Sequence, residues 1–269
     1  GTRHHTSQPN SGSENYTLPT LANYLQDLTL TFRNKLFRSL VSYEIACAIG
    51  WGSLSTLHIL VATYAFEFDA DEMAIILALP VLVAVVVVWA LTPALSRRWQ
   101  KPQLLRLALW GMLLNMLWLY PLKLAGMLPP NDSPLVLALY LLQTTLFTVF
   151  FFLRMTNSMS ILADITDQHE LERGERKEGG FFSIMTFILK LATLVGPLYG
   201  GIVLDVIGLD SQALPGEVAE PVLANLLYAV LLIVVPTLVI ALRYSYRIDI
   251  SKEDIERIQA SLLEKKASA

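Results

Sequence analysis

The chain has 269 residues, of which 54% are hydrophobic and 16% charged, at a mean hydropathy of +0.51; soluble domains carry about 25% charged residues. The formal net charge is only −3, and in a membrane protein the position of the charges matters more than their sum. Cys47, the single cysteine, sits in an apolar stretch, which excludes a disulfide framework and a cysteine metal site. There is no glycine-rich phosphate loop, no HExxH pair and no paired-cysteine zinc spacing, so soluble-enzyme chemistry has no motif to stand on and no catalytic residue or metal ligand is assigned.

Residues 1–39 are polar, and Pro9, Asn10, Ser11, Gly12 and Ser13 read as a flexible linker. The chain opens on Gly1 with no signal peptide before the first apolar run, and we expect it to be a piece of a longer protein. Leu18, Leu21, Leu25 and Leu28 lie near helical spacing and are followed by Arg33, Lys35 and Arg38. This pattern suits an interfacial helix leading into the membrane. Three cations beside an apolar run are no nucleic-acid surface.

Six apolar segments follow, at Leu40–Phe66, Glu72–Leu95, Gln103–Leu122, Pro134–Leu162, Gly180–Ile207 and Val222–Leu242. Each is near the ~20 residues a bilayer requires, so the lipid bilayer is an expected partner. Alternate connections are basic: Arg97, Arg98 and Lys101, then Arg173, Arg176 and Lys177, then the tail from Arg243 to Lys266. The other loops hold Glu67, Asp69, Asp71, Glu72, Asp132, Asp210, Glu217 and Glu220, with Lys123 the cation on their side. The positive-inside rule predicts both termini in the cytoplasm. Residues 243–269 read as one cytoplasmic helix, with a capping pair Ser251/Asp254 and an apolar stripe of Ile255, Ile258, Leu262 and Leu263.

Polar residues inside the segments are the candidates for function, because a charge in hydrocarbon is costly. In the fifth segment Ser183, Thr186, Lys190, Thr193 and Pro197 share a helix face; Lys190 should meet a cavity or a carboxylate. In the fourth, Gln143, Phe147, Phe150, Arg154 and Asn157 share a face. Arg154 is close enough to the cytoplasmic end either to snorkel or to serve a site. In the first, Glu44, Cys47, Trp51, Ser55 and His58 share a face. Glu44 suits either solvation at the membrane edge or an intramembrane pair with Lys190. Trp51 can pack or stack on a sugar ring, and His58 fits helix packing. At the end of the fourth segment, Asp164 can pair with Arg97, Arg98 or Arg176, an ion pair able to lock one conformation and break in another.

The stretch Met159–Gly201 carries a resemblance. Leu162, Ala163, Asp164, Asp167, Gly174, Arg176, Glu178, Gly179, Phe181, Phe182, Ser183, Thr186, Phe187 and Lys190 stand in the order L-A-D-x-x-D, G-x-R-x-E-G, F-F-S-x-x-T-F-x-x-K. This pattern resembles the connection between the tenth and eleventh helices of the glycoside–pentoside–hexuronide cation symporters, the branch of the major facilitator superfamily to which the melibiose permease belongs. Where that family usually carries tyrosine after the second aspartate, this chain has Gln168.

The resemblance implies an all-α integral membrane protein whose six helices form the C-terminal half of a major facilitator fold. It implies a cation-coupled symporter of a sugar-like solute, in a bacterial inner membrane. The same fold could carry an amphipathic lipid, or the chain could be a six-span scaffold that moves nothing. The coupling cation, sodium or proton, would bind mainly in the N-terminal six-helix half, the expected partner, with no other cofactor. The substrate-cavity wall would then comprise Lys190, Thr186, Thr193, Asn157, Arg154 and Trp51, and the cytoplasmic gate Asp164, Asp167, Arg176, Arg97 and Arg98.

Overall fold

The computed structural model describes residue 32 and residues 34–174, 178–210 and 213–267. The Pro9–Ser13 linker, the Leu18–Leu30 stripe, Arg33, Arg176 and Lys177 lie outside the described residues. Among the described residues there is no strand, and six helical segments are long and apolar enough to cross a membrane: Lys35–Ala65, Ala70–Arg98, Lys101–Leu124, Pro134–Glu172, Gly179–Ile207 and Glu220–Ser245.

Helix α1 spans Lys35–Leu60. Asn34 starts it by accepting the N–H groups of Leu36 and Phe37 on its Oδ1, at 2.9 and 3.1 Å, donors that a helix start otherwise leaves unpaired. It ends in a π turn, Val61–Ala65. Helix α2 (Ala70–Arg98) begins on a reciprocal cap between Asp69 and Glu72. The third span is two pieces, α3 (Lys101–Met116) and α4 (Leu119–Leu124), separated at Leu117 and Trp118. Helix α5 runs over Pro134–Arg173, 40 residues. At ~1.5 Å per residue that is about 60 Å, roughly twice the hydrocarbon thickness. It therefore continues well past Leu162, where the hydropathy pattern ends the span. It stops at Gly174 with φ +77°, a left-handed geometry that glycine adopts without a Cβ penalty.

The fifth span is also divided, into α6 (Glu178–Thr193) and α7 (Val195–Ile207). Pro197 explains the joint: its ring has no N–H to donate and crowds the carbonyl four residues back, that of Thr193. Helix α8 covers Glu220–Ser245, and the tail helix α9 covers Lys252–Ala267. Ser251 caps α9, donating from its hydroxyl to Asp254 at 2.6 Å and accepting the Asp254 N–H at 3.0 Å. The Ser251 hydrogen bonds hold the Asp254 carboxyl below the usual carboxylate range.

Helices α1 and α5 are the two central members. α1 packs on α8, α7, α6 and α5, whereas α5 packs on α3, α2 and the tail helix α9. By contrast α2 buries only Ile76, Pro80 and Ala84. On α6 and α7, Phe187, Leu191, Leu198, Ile202 and Val206 are exposed, apolar faces that suit lipid or another helical bundle.

The α1–α7 seam depends on glycine. A Cβ built on Gly196 would lie 2.2 Å from the Gly52 carbonyl carbon, and one on Gly200 would lie 2.6 Å from Thr56 Cγ2. Small residues let helix backbones approach where lipid supplies no hydrophobic drive. We expect Gly196→Ala to destabilise the purified protein by about 1–3 kcal/mol, as overpacking does. Gly201→Ala should be tolerated, since nothing lies within 4 Å of the added carbon. Thermal unfolding in detergent compares the two, and equal midpoints would refute the close contact.

Candidate functional site

The deepest polar contact joins the two central helices. Glu44 on α1 and Arg154 on α5 are 2% and 5% exposed. Arg154 Nη1 donates to Glu44 Oε2 at 3.0 Å and to the Tyr43 hydroxyl at 3.1 Å. The Ser158 hydroxyl, itself fully buried, donates to the other carboxylate oxygen, Glu44 Oε1. The guanidinium also lies 5.0 Å over the Phe151 ring and 5.7 Å over Tyr43. Trp51 stacks on Phe151 from two turns further along α1, with ring centroids 4.2 Å apart.

This corrects two expectations. Glu44 is neither solvated at the membrane edge nor paired with Lys190, because its carboxylate is taken by Arg154 and Ser158. Arg154 does not snorkel and does not present its charge to a cavity, because Glu44 neutralises it inside the bundle. Asn157 is likewise turned inward: it is 4% exposed and donates to the Leu153 carbonyl at 2.8 Å.

The α6 face is different. Ser183, Thr186, Lys190, Thr193 and Pro197 are all exposed. Thr186 donates its hydroxyl to the Phe182 carbonyl and Thr193 to the Lys190 carbonyl, each at 2.8 Å. The hydroxyl oxygens therefore present acceptors, while the Lys190 ammonium supplies donors and charge. Lys190 occupies the last turn of α6, next to the joint with α7. A cation is favoured there by the partial negative charge of a helix C-terminus.

At the far end of α5, Lys101 binds Asp164, Nζ to Oδ2 at 2.5 Å, with side-chain exposures of 32% and 5%. Arg97 and Arg98 are exposed at the end of α2, so the cation on Asp164 comes from the expected loop but is its last member. Asp167 sits one turn further along α5, half-buried. Sequence reasoning missed Lys101 because the residue opens α3 behind its own cap, Gln100/Gln103.

A cavity of about 240 Å³ opens beside Trp51. Gln143, Phe147, Tyr120, His58 and Pro80 are among its lining residues. His58 Nδ1 meets the Tyr140 hydroxyl at 3.0 Å, and the two rings stack. Among the described residues, no group of three His, Cys, Asp or Glu is placed to hold a metal ion.

Six apolar spans, a buried charge pair between the central helices and a polar exposed face on α6 make this an integral membrane protein. Residues 2–252 match the family described as MFS/sugar transport protein, and the chain belongs to that family. No curated protein matches it.

The buried pair makes a quantitative expectation. Arg154→Met leaves the Glu44 carboxylate buried without its counter-charge and should cost about 3–5 kcal/mol of stability. Removing both charges, Glu44→Gln with Arg154→Met, should cost clearly less. Chemical unfolding of the wild type, the two single variants and the double variant measures the coupling. Additive losses would mean that the two charges do not act as a pair.

Proposed function

We propose that this chain is the C-terminal six-helix half of a cation-coupled secondary symporter that moves a sugar-like solute by alternating access. Its partner is the N-terminal six-helix half of the same transporter, which holds most of the sodium or proton site. The complete protein lies in a bacterial inner membrane with both ends of this chain in the cytoplasm. The observation that carries the reading is Lys190. It is a cation beside a helix joint inside a membrane span, exposed on a face with Thr186 and Thr193. An intramembrane charge of this kind faces a bundle interior or a water-filled cavity, and broken spans are where secondary transporters build their sites.

In this reading Lys190 reaches a carboxylate on the N-terminal half, and Thr186, Thr193 and Trp51 line the solute path. Arg154 acts behind that wall by fixing α1 to α5, and Asn157 lies buried beside it. The Lys101–Asp164 pair belongs to the cytoplasmic gate together with Arg97, Arg98, Asp167 and Arg176. It is closed in one access state and broken in the other.

Orientation is checked by labelling single cysteines in intact cells. Positions Asp69 and Asp132 should react from outside and Gln100 should not; the reverse pattern would invert the topology.

Function is checked by gradient-driven uptake in vesicles containing the full-length transporter. Lys190→Ala should insert normally and lose coupled uptake, and Lys190→Arg should restore little of it, since a planar guanidinium does not replace a compact ammonium. Asp164→Asn should slow turnover more than it weakens solute binding, because a lost gate pair biases the access states and leaves solute contacts in place. Normal uptake by well-expressed Lys190→Ala would remove this lysine from the mechanism. Lost binding with normal turnover in Asp164→Asn would move Asp164 into the solute site.

A further inference from the structure

The end of the bundle where α1 begins and α8 ends carries a cavity of about 410 Å³ with a cationic lining. Lys35, Arg38, Ser39 and Ser42 come from α1, at the i, i+3, i+4 and i+7 spacing of one helix face. Tyr244 and Arg247 close it from the end of α8. Arg247 is held in place: its N–H donates to the Tyr244 carbonyl at 2.9 Å, and its guanidinium lies 5.2 Å over the Tyr244 ring.

Three cations converge on this space and no acid lines it. Among the described residues none of the three forms an ion pair. Asp249, two residues beyond Arg247, is outside the lining, and Glu44 on α1 is taken by Arg154 and Ser158. The first turn of α1 contains no acidic residue, so Lys35 and Arg38 add to the partial positive charge of a helix N-terminus instead of offsetting it. Like charges gathered in this way repel one another, and a bound anion relieves the repulsion. The hydroxyls complete the set. Ser39 donates to the Lys35 carbonyl at 2.9 Å, whereas the Ser42 and Tyr244 hydroxyls have no hydrogen-bond partner among the described residues and remain able to donate. A phosphodiester is negatively charged and rich in acceptor oxygens, which matches ammonium, guanidinium and hydroxyl donors together.

The position of the cavity selects the source of the phosphate. Lys35 to Ser42 open a membrane span, and Tyr244 lies in the last turn of another. One turn inward from Tyr244, the apolar side chain of Ile240 is exposed on the same side of α8. A ligand with a phosphate at one end and hydrocarbon at the other occupies both places, whereas a free phosphate ion fills only the first. Basic pockets between spans are where acidic headgroups bind. A zwitterionic headgroup would bring its own ammonium against three cations, so the match is to a lipid of net negative charge. From this geometry we infer that the cavity binds the headgroup of an anionic glycerophospholipid, with Lys35, Arg38 and Arg247 on the phosphate and Ser42 and Tyr244 donating to its oxygens. The lipid would tie α1 to α8 at the membrane surface, and this role depends neither on the solute nor on transport.

To test this, the full-length protein is purified in detergent and titrated with dioleoyl phosphatidylglycerol or dioleoyl phosphatidylcholine, and bound lipid is counted by native mass spectrometry. Phosphatidylglycerol should bind at concentrations where phosphatidylcholine does not. Arg38→Gln with Arg247→Gln should raise its half-saturating concentration about thirtyfold, the effect of two basic residues at a lipid surface. Both side chains are exposed, and a thermal midpoint unchanged in the absence of lipid checks that the variant folds. Arg243→Gln with Lys252→Gln removes the same charge from exposed positions outside the lining and should leave the affinity nearly unchanged. Ser42→Ala with Tyr244→Phe keeps every charge, serves as the second lining variant, and should weaken binding several-fold. Inorganic phosphate, added as a competitor, separates a lipid site from a site for a soluble anion. Equal binding of the two lipids, equal losses in the two charge variants, or unchanged binding in both lining variants would each overturn the site. Displacement of phosphatidylglycerol by an equal concentration of inorganic phosphate would overturn the lipid as its occupant.

Discussion

The Glu44–Arg154 pair is the contact around which the bundle's polar chemistry is arranged. A lone charge inside hydrocarbon costs several kcal/mol by insertion measurements. Two opposite charges are tolerated when their geometry is good and the remaining lone pairs are occupied. Tyr43 and Ser158 supply most of that completion, one on the guanidinium and the other on the carboxylate, and Arg154 Nε is left without a partner. Because the pair joins α1 to α5, it fixes the two helices against which the others pack. It also removes two charges from the groups left open within the spans, whereas Lys190 is an exposed cation that the pair does not neutralise.

A second constraint works through the backbone. The α6–α7 joint lies where α7 touches α1 most closely, at Gly196 against Gly52. Proline removes a donor from the helix ladder at this point, and glycine lets the neighbouring backbone come in against the break. The joint is therefore held by packing rather than left loose, and Lys190 inherits a defined position in the last turn before it. Pro197, Gly196 and Lys190 act as one local unit: a break, a close contact that supports it, and a cation placed by it.

Much of the fold is written in hydropathy and charge. Six apolar runs with basic residues at alternate connections give the spans, and the block from Leu162 to Lys190 gives the family. The pairing of charges is not written there. Glu44, Arg154 and Lys190 are one anion and two cations on three helices, and helical periodicity alone does not say which cation the anion meets. The choice is made in three dimensions, where Arg154 can reach Tyr43 and Glu44 together. Similarly, α5 continues beyond its apolar run because Asp164 to Arg173 still form good helix outside the hydrocarbon. The joints at Leu117 and Leu194 interrupt spans whose average hydropathy is unbroken. Proline was a visible signal for both: Pro197 follows Thr193 by four residues, and Pro121 follows Leu117 by the same offset.

The division of polar groups into donors and acceptors was the least legible feature, yet it follows from a simple rule. A serine or threonine inside a membrane helix can use its hydroxyl proton on a carbonyl three or four residues earlier, as Ser55, Thr144, Thr148, Thr186 and Thr193 all do, whereas Ser158 donates to Glu44. Sequence therefore overstates how amphoteric such a wall is: hydroxyls that look able to donate and accept are, once helical, mainly acceptors. Donors on these faces come from other side chains, such as the Lys190 ammonium and the Gln143 amide. Around the Trp51 cavity the rule has its limit: Ser55, Thr144 and Thr148 line it with their protons engaged, while the Gln143 amide and the Tyr120 hydroxyl can still donate.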